Sequence, residues 1–140
     1  MSVLVVDASV AVKWFLPEVH SEVARRVLSG TRTLLAPDLI WAEVGNVLWK
    51  KSRRAEITDE TARGILRDFR HFPLQTYAAK ALLEPAWDLA ERFHVSIYDC
   101  LYLALAISRS CTLVTADLRF YNTLKDTPLA SSMAWVEGIR

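Results

Sequence analysis

The chain has 140 residues, 52% of them apolar, enough to bury one core without disulfide or metal staples and to read as a single domain over residues 1–140. Lysine and arginine total 17 against 16 acidic residues, so no global positive field marks a nucleic-acid binder, and any such surface has to be local. Cys100 and Cys111 sit in apolar stretches like reduced thiols, the opening MSVLVVDASV lacks a basic leader, and no segment approaches the ~20 apolar residues of a membrane span, so a soluble, cytoplasmic protein is expected.

Val3 to Val6 is a short apolar, β-branched run ending at Asp7, the pattern of a buried central strand. Ser9 is placed to cap a helix after it, Pro17 and Glu18 restart a helical stretch to about Leu28 that Gly30 closes, and Thr33 to Ala36 reads as the next strand. Asp38 is positioned as the cap of a helix with Ile40, Trp41, Val44, Val47 and Leu48 at helical spacing and Glu43 in its middle. Thr58 and Asp59 open another helix running to about Phe72, and Leu74 to Thr76 is a short strand. Ala79 to Phe93 is helical apart from Pro85, which predicts a kink or a break. Ser96 caps IYDCLYLALAIS, apolar almost all round and so expected at the centre of the domain. Thr112 to Val114 is the next strand, and it leads to Asp117 much as the first leads to Asp7. Strands alternating with helices predict a three-layer α/β/α sandwich with a central, mostly parallel sheet, whose ligand crevice lies at the carboxyl ends of the strands.

Four acids stand at positions where a carboxylate is costly to desolvate unless something compensates it. Each also has a purely structural explanation. Asp7 and Asp117 fit caps on the helices that follow them, Ser96-x-x-Asp99 fits a capping box, and Glu43 fits the polar edge of an amphipathic helix with Asn46 and Lys50 on the same face. Together, two acids at strand ends and two on helices that can pack near those ends form a set of converging carboxylates, which repel unless a cation compensates them. Oxygen-only donors suit Mg²⁺ or Mn²⁺ rather than Zn²⁺, and His20, His71 and His94 are scattered without zinc spacing, as surface or core residues would be.

The segments VVDAS around Asp7, AEVGNVLWK around Glu43, SIYDCLYLALA around Asp99 and LVTAD-x-x-F around Asp117 resemble, in order and spacing, the four acidic motifs of PIN domains. The resemblance covers essentially the whole chain and is strongest to the small VapC-type toxins. It implies a PIN-like fold, Mg²⁺- or Mn²⁺-dependent hydrolysis of RNA, and four acids in one cleft. It also implies supporting roles for Ser9, Thr115 and Asn46, a homodimer, and a small antitoxin that blocks the cleft. In some members a further acid follows the fourth motif, where this chain has Leu118 and Arg119.

On that reading Asp7, Asp99 and Asp117 hold the metal, and Glu43 is an outer ligand or steers the attacking water. An acidic cleft still needs a basic surface to attract RNA. The local candidates are Lys50, Lys51, Arg53 and Arg54 at the end of the Glu43 helix, with Arg63, Arg67 and Arg70 on the next; taken alone, a solvated charged face is the simpler explanation of them. The five tryptophans read mainly as core, with one or two left for an interface. Two other readings compete: a receiver-like, Mg²⁺-binding phosphoacceptor domain, and a PIN-like module that binds RNA without cutting. The receiver fits less well, because Asp7 stands alone after the first strand and the second strand-end acid comes late. No glycine-rich phosphate loop is present.

Overall fold

Five short strands, β1 (Val3–Val6), β2 (Thr33–Pro37), β3 (Leu74–Tyr77), β4 (Thr112–Thr115) and β5 (Met133–Trp135), pair into one sheet in the order β3-β2-β1-β4-β5. Every pairing is parallel, with Val6 opposite Val114 and Leu4 opposite Leu34. The computed structural model describes residues 3–139, so Met1, Ser2 and Arg140 of the expected domain lie outside the described residues. The apolar strands β1, β2 and β4 take the centre, where both faces are covered, while β3, with Gln75 and Thr76 exposed, takes one edge and the short β5 the other.

Among the described residues seven α-helices connect the strands: α1 (Ala8–Lys13), α2 (Ser21–Arg26), α3 (Leu39–Arg53), α4 (Asp59–Arg70), α5 (Ala79–Phe93), α6 (Ile97–Ser108) and α7 (Leu118–Leu124). One group is formed by α1 with α2 and α3, and by α3 with α4. A second is formed by α5 against α6, which also packs on β1, β2 and β4. Cys100 to Ala106 of α6 are buried without interruption, as its all-round apolar sequence predicts. This is the expected α/β/α architecture, with the sheet parallel throughout.

Several local expectations are corrected. Ser9 does not cap α1; the helix begins one residue after β1, so Asp7 stands at the N-cap in extended conformation and Ser9 falls in the first turn. Pro17 to His20 form a turn, because the Ser21 hydroxyl accepts the Glu18 N–H and donates to the Leu16 carbonyl, which delays α2 to Ser21. Asp38 occupies the N-cap of α3 without capping it; its Oδ1 accepts the Ala79 N–H at 3.0 Å and so caps α5 instead. Pro85 does not break α5: Pro85 and Ala81, whose carbonyl loses its partner, are both exposed, and the helix is held along α6. α4 ends at Arg70, two residues early.

Among the described residues no helix is long and apolar enough to cross a membrane.

Candidate active site

The chain builds β2 and β3 on one side of β1 and β4 and β5 on the other, so the crevice between the carboxyl ends of β1 and β4 is the topological switch point of the sheet. Asp7 and Asp117 leave the sheet there. The Asp7 N–H bonds to the Val114 carbonyl at 3.1 Å, which ties the end of β1 to the end of β4. The Asp7 side chain is buried, and Oδ2 accepts hydrogen bonds from the Thr115 hydroxyl at 2.8 Å and the Ser9 hydroxyl at 2.9 Å. Ser9 Oγ in turn accepts the Ala116 N–H, and Thr115 Oγ1 accepts the Asp117 N–H. Two small hydroxyls thus lock an anion and the turn after β4 into one network. Ser9 was expected as a helix cap or a supporting group; its hydroxyl does not cap α1 and is engaged by Asp7 and the Ala116 N–H instead.

The other two acids come from helices. Asp99 lies in the first turn of α6, where Ser96 Oγ accepts its N–H at 3.2 Å, and Glu43 lies in the second turn of α3. Tyr102, one turn after Asp99 and fully buried, donates its hydroxyl to Glu43 Oε1 at 2.5 Å, connecting α6 to α3. Sequence reasoning missed this residue. Its signal was available: a tyrosine inside an otherwise apolar, buried helix has to find a hydrogen-bond partner.

The acids respond to one another. Burial, the largest cause, raises the Asp7 pKa against the two hydroxyl hydrogen bonds, and the Asp117 charge adds to the rise. Asp99 is pushed up to about 7, first by burial, then by the charges of Asp7 and Asp117, with Glu43 adding to them. Glu43 is raised by burial and by Asp7, while the Tyr102 hydrogen bond pulls it down. Four carboxylates separated in sequence therefore share one electrostatic neighbourhood. Asp117 also keeps its structural role, since Oδ1 accepts the Phe120 N–H and caps α7.

The donor set is all oxygen, partly desolvated and short of positive charge, which fits a hard divalent cation rather than zinc. Among the described residues, no group of three or more His, Cys, Asp or Glu side chains is drawn together closely enough to hold an ion unaided. Mg²⁺ tolerates this, because it usually keeps several waters and takes one or two carboxylates.

Asp99 and Asp117 open onto a cleft of roughly 370 Å³ that His94, Arg119 and Thr123 also line. His94, read from the sequence as a scattered surface or core residue, belongs to this wall. Asn46 is exposed on α3. The predicted basic residues are not gathered at the cleft. Lys50, Lys51, Arg53 and Arg54 lie two to three helical turns beyond Glu43, roughly 10–16 Å along the axis of α3. Lys51 pairs with Glu18 at 2.8 Å, and Arg53 and Arg63 both pair with Asp59. Arg67 is exposed on α4, and Arg70 borders an apolar hollow with Trp41, Leu66 and Phe69. Of the tryptophans, Trp14 is buried and Trp41 and Trp135 are partly so, whereas Trp49 and Trp87 are 58% and 62% exposed. The thiols are quiet: burial pushes Cys100 up to about 11 and also raises Cys111.

Residues 4–125 match the family model of the PIN domain. The chain is 36% identical to "Ribonuclease VapC3" of Pyrobaculum aerophilum over 81% of its own length and 88% of that protein. It is 33% identical to "Ribonuclease VapC9" of Mycobacterium tuberculosis over 86% and 90% of the two. The fold superposes on the crystal structure of Mycobacterium tuberculosis VapC20, described as a sarcin–ricin loop cleaving toxin, with a TM-score of 0.67 at 15% identity over 98% and 99% of the two chains. It also superposes on VapBC2 of Rickettsia felis bound to a promoter DNA fragment, with a TM-score of 0.62 at 13% identity over 95% and 98%. The receiver-domain reading is set aside by this match. The family model over residues 4–125, the parallel sheet order and relatives matched over most of both lengths agree: this chain belongs to the PIN-domain family, in its group of VapC ribonucleases.

Proposed function

We propose that this chain is a Mg²⁺- or Mn²⁺-dependent endoribonuclease that hydrolyses RNA phosphodiester bonds at the cleft of Asp7, Glu43, Asp99 and Asp117, and that it is the toxin of a toxin–antitoxin pair. One observation carries the chemistry: Asp7, Glu43 and Asp99 are all raised by burial and by one another or Asp117, an arrangement that wastes stability unless a cation relieves it. A hard divalent ion, when bound, supplies a water of lowered pKa and positive charge beside the phosphoryl oxygens. Asp7, Asp99 and Asp117 are the residues to hold it. Ser9 and Thr115 orient the Asp7 carboxylate by gripping Oδ2, and Tyr102 fixes Glu43, which is left to bind outer water or steer the nucleophile. Asn46, on the same helix as Glu43, is assigned a supporting role at the rim.

The toxin role is supported by the solved neighbours, one described as a sarcin–ricin loop cleaving toxin and one as a toxin–antitoxin complex from Klebsiella pneumoniae, beside the likeness to VapC ribonucleases. The proposed partners are an RNA substrate, a small antitoxin that covers the cleft, and a second copy of this chain. Exposed Trp49 and Trp87 supply apolar area for such protein contacts. Arg63, Arg67 and Arg70, all exposed, form an outer stripe for the RNA backbone, with Lys50, Lys51, Arg53 and Arg54 at its far end.

The test is cleavage of RNA by the inhibitor-free protein with Mg²⁺ or Mn²⁺ and with EDTA. Activity that depends on the metal and disappears in Asp7→Asn and Asp99→Asn is expected; undiminished cleavage in EDTA would sink the metal site. Growth arrest on expression, relieved by an antitoxin encoded beside it, is the expected outcome for the toxin role.

A further inference from the structure

The four carboxylates repel the very polymer they are proposed to cut. A phosphate lying along the cleft beyond the scissile one has to be met by another cation, and none of the basic residues on α3 and α4 lines this cleft. Lys51, Arg53 and Arg63 are engaged by Glu18 and Asp59, and the end of α3 lies roughly 10 Å or more from Glu43 along the helix axis.

The cleft has its own cation. Arg119 follows Asp117 by two residues and sits on α7, whose buried side carries Phe120 and Leu124 into the core. That anchoring turns Arg119 and Thr123, four residues apart and on one helical face, toward the cleft that Asp99, Asp117, Ser96 and His94 line from the other elements. Arg119 is exposed, and among the described residues its guanidinium forms no ion pair with any carboxylate. The neighbouring acids therefore do not neutralise it. A guanidinium is suited to a phosphodiester because its planar fork can donate two hydrogen bonds to one phosphate.

From this juxtaposition we infer that Arg119 is a substrate-binding residue that grips an RNA phosphate flanking the scissile bond, so that the strand runs along the wall between the α5–α6 turn and α7. This rests on the ribonuclease reading above and specifies how that site holds its substrate.

The test measures binding as well as cleavage. In the cleavage-inactive Asp7→Asn background with Mg²⁺, the affinity of a short, fluorescently labelled single-stranded RNA is followed by anisotropy across a salt series. Arg119→Ala is expected to weaken binding roughly 10-fold, the loss of one charge-assisted contact. The slope of log affinity against log salt is expected to become shallower by about 0.7, the value for one phosphate contact on a single strand. Arg119→Lys should recover the slope and only part of the affinity, because it keeps the charge and loses the fork. Lys125→Ala, which removes the same charge from the end of the same helix outside the cleft, should change neither.

In the otherwise unchanged protein, Arg119→Ala should raise KM far more than it lowers kcat. Arg119 is exposed, so an unaltered melting curve is expected to accompany these effects. If the parent cuts RNA with metal while Arg119→Ala keeps the parent affinity and salt slope, the assignment of Arg119 fails and the ribonuclease reading stands. Loss of a protein partner by that variant would not rescue the assignment. If the parent neither binds nor cuts RNA, both fail together.

Discussion

Asp99→Asn separates a carboxylate kept for a cation from one kept for its helix, because the two roles predict opposite signs of stability change. In the folded chain Asp99 titrates at about 7, against an ordinary value of 3.8. A raised carboxyl binds its proton more tightly folded than unfolded, so its contribution is fully present below the unfolded value and is lost as pH rises toward 7. At 1.36 kcal/mol per pH unit the ceiling on that loss between pH 5 and pH 8 is ~2.7 kcal/mol. Solvent reaches the half-buried carboxylate and screens its neighbours, so about 1 kcal/mol is the working figure.

Asn cannot ionise and removes this loss; the folded value of about 7 is already net of what a negative charge gains in the first turn of α6. Without metal, Asp99→Asn is therefore expected to be about as stable as the parent at pH 5 and about 1 kcal/mol more stable at pH 8, with a flatter stability–pH profile. Urea titrations in EDTA at pH 5, 6.5 and 8 read this directly. A variant less stable than the parent at pH 8, with the parent's slope intact, would show that the carboxylate serves mainly to start the helix and would refute the crowded-acid account.

Three further outcomes follow from particular contacts. Tyr102→Phe leaves Glu43 Oε1 without its buried donor and should cost about 1–2 kcal/mol in denaturant titrations while lowering metal-dependent cleavage; an unchanged midpoint would mean that solvent already satisfies Glu43. Ala55 closes α3 at φ 58 with the Glu56 N–H on the Lys51 carbonyl and the Ala55 N–H on the Ser52 carbonyl, a left-handed cap that favours glycine. Ala55→Gly should thus raise the melting temperature by about 2–4 °C, and a lower one would contradict it. Replacing Arg63, Arg67 and Arg70 together by Ala should weaken RNA binding and flatten its salt dependence; since Asp59 already engages Arg63, a slope change near two contacts rather than three is expected, and no change returns the stripe to a solvated face.

The sheet and the positions of Asp7 and Asp117 were legible in the sequence because central parallel strands are apolar on both faces and end abruptly, leaving an acid just beyond each. Elements set by few residues were not. β5 is three residues long and its Met133-Ala134-Trp135 carries no alternation, so no period announces it. Ser9 read as a cap because the sequence shows only its local neighbours; its actual partners include the Ala116 N–H, 107 positions away.

The same contrast explains why cap and ligand readings of the acids could not be told apart by spacing. Asp117 does cap α7 through Oδ1, and Ser96 does cap α6 beside Asp99, so those two structural explanations were correct as far as they went, whereas the Asp7 side chain makes no cap bond to α1. A cap is a bond within four residues, and any sequence window contains it. The mutual repulsion on which the proposed site rests acts between Asp7, Asp99, Asp117 and Glu43, and it exists only because β1 and β4 are neighbours in the sheet while α3 and α6 meet through Tyr102. A residue can satisfy a local rule and a distant one at once with its two oxygens. The proposed function therefore rests on the distant coupling, and the local bond shows only how the carboxylate is held still.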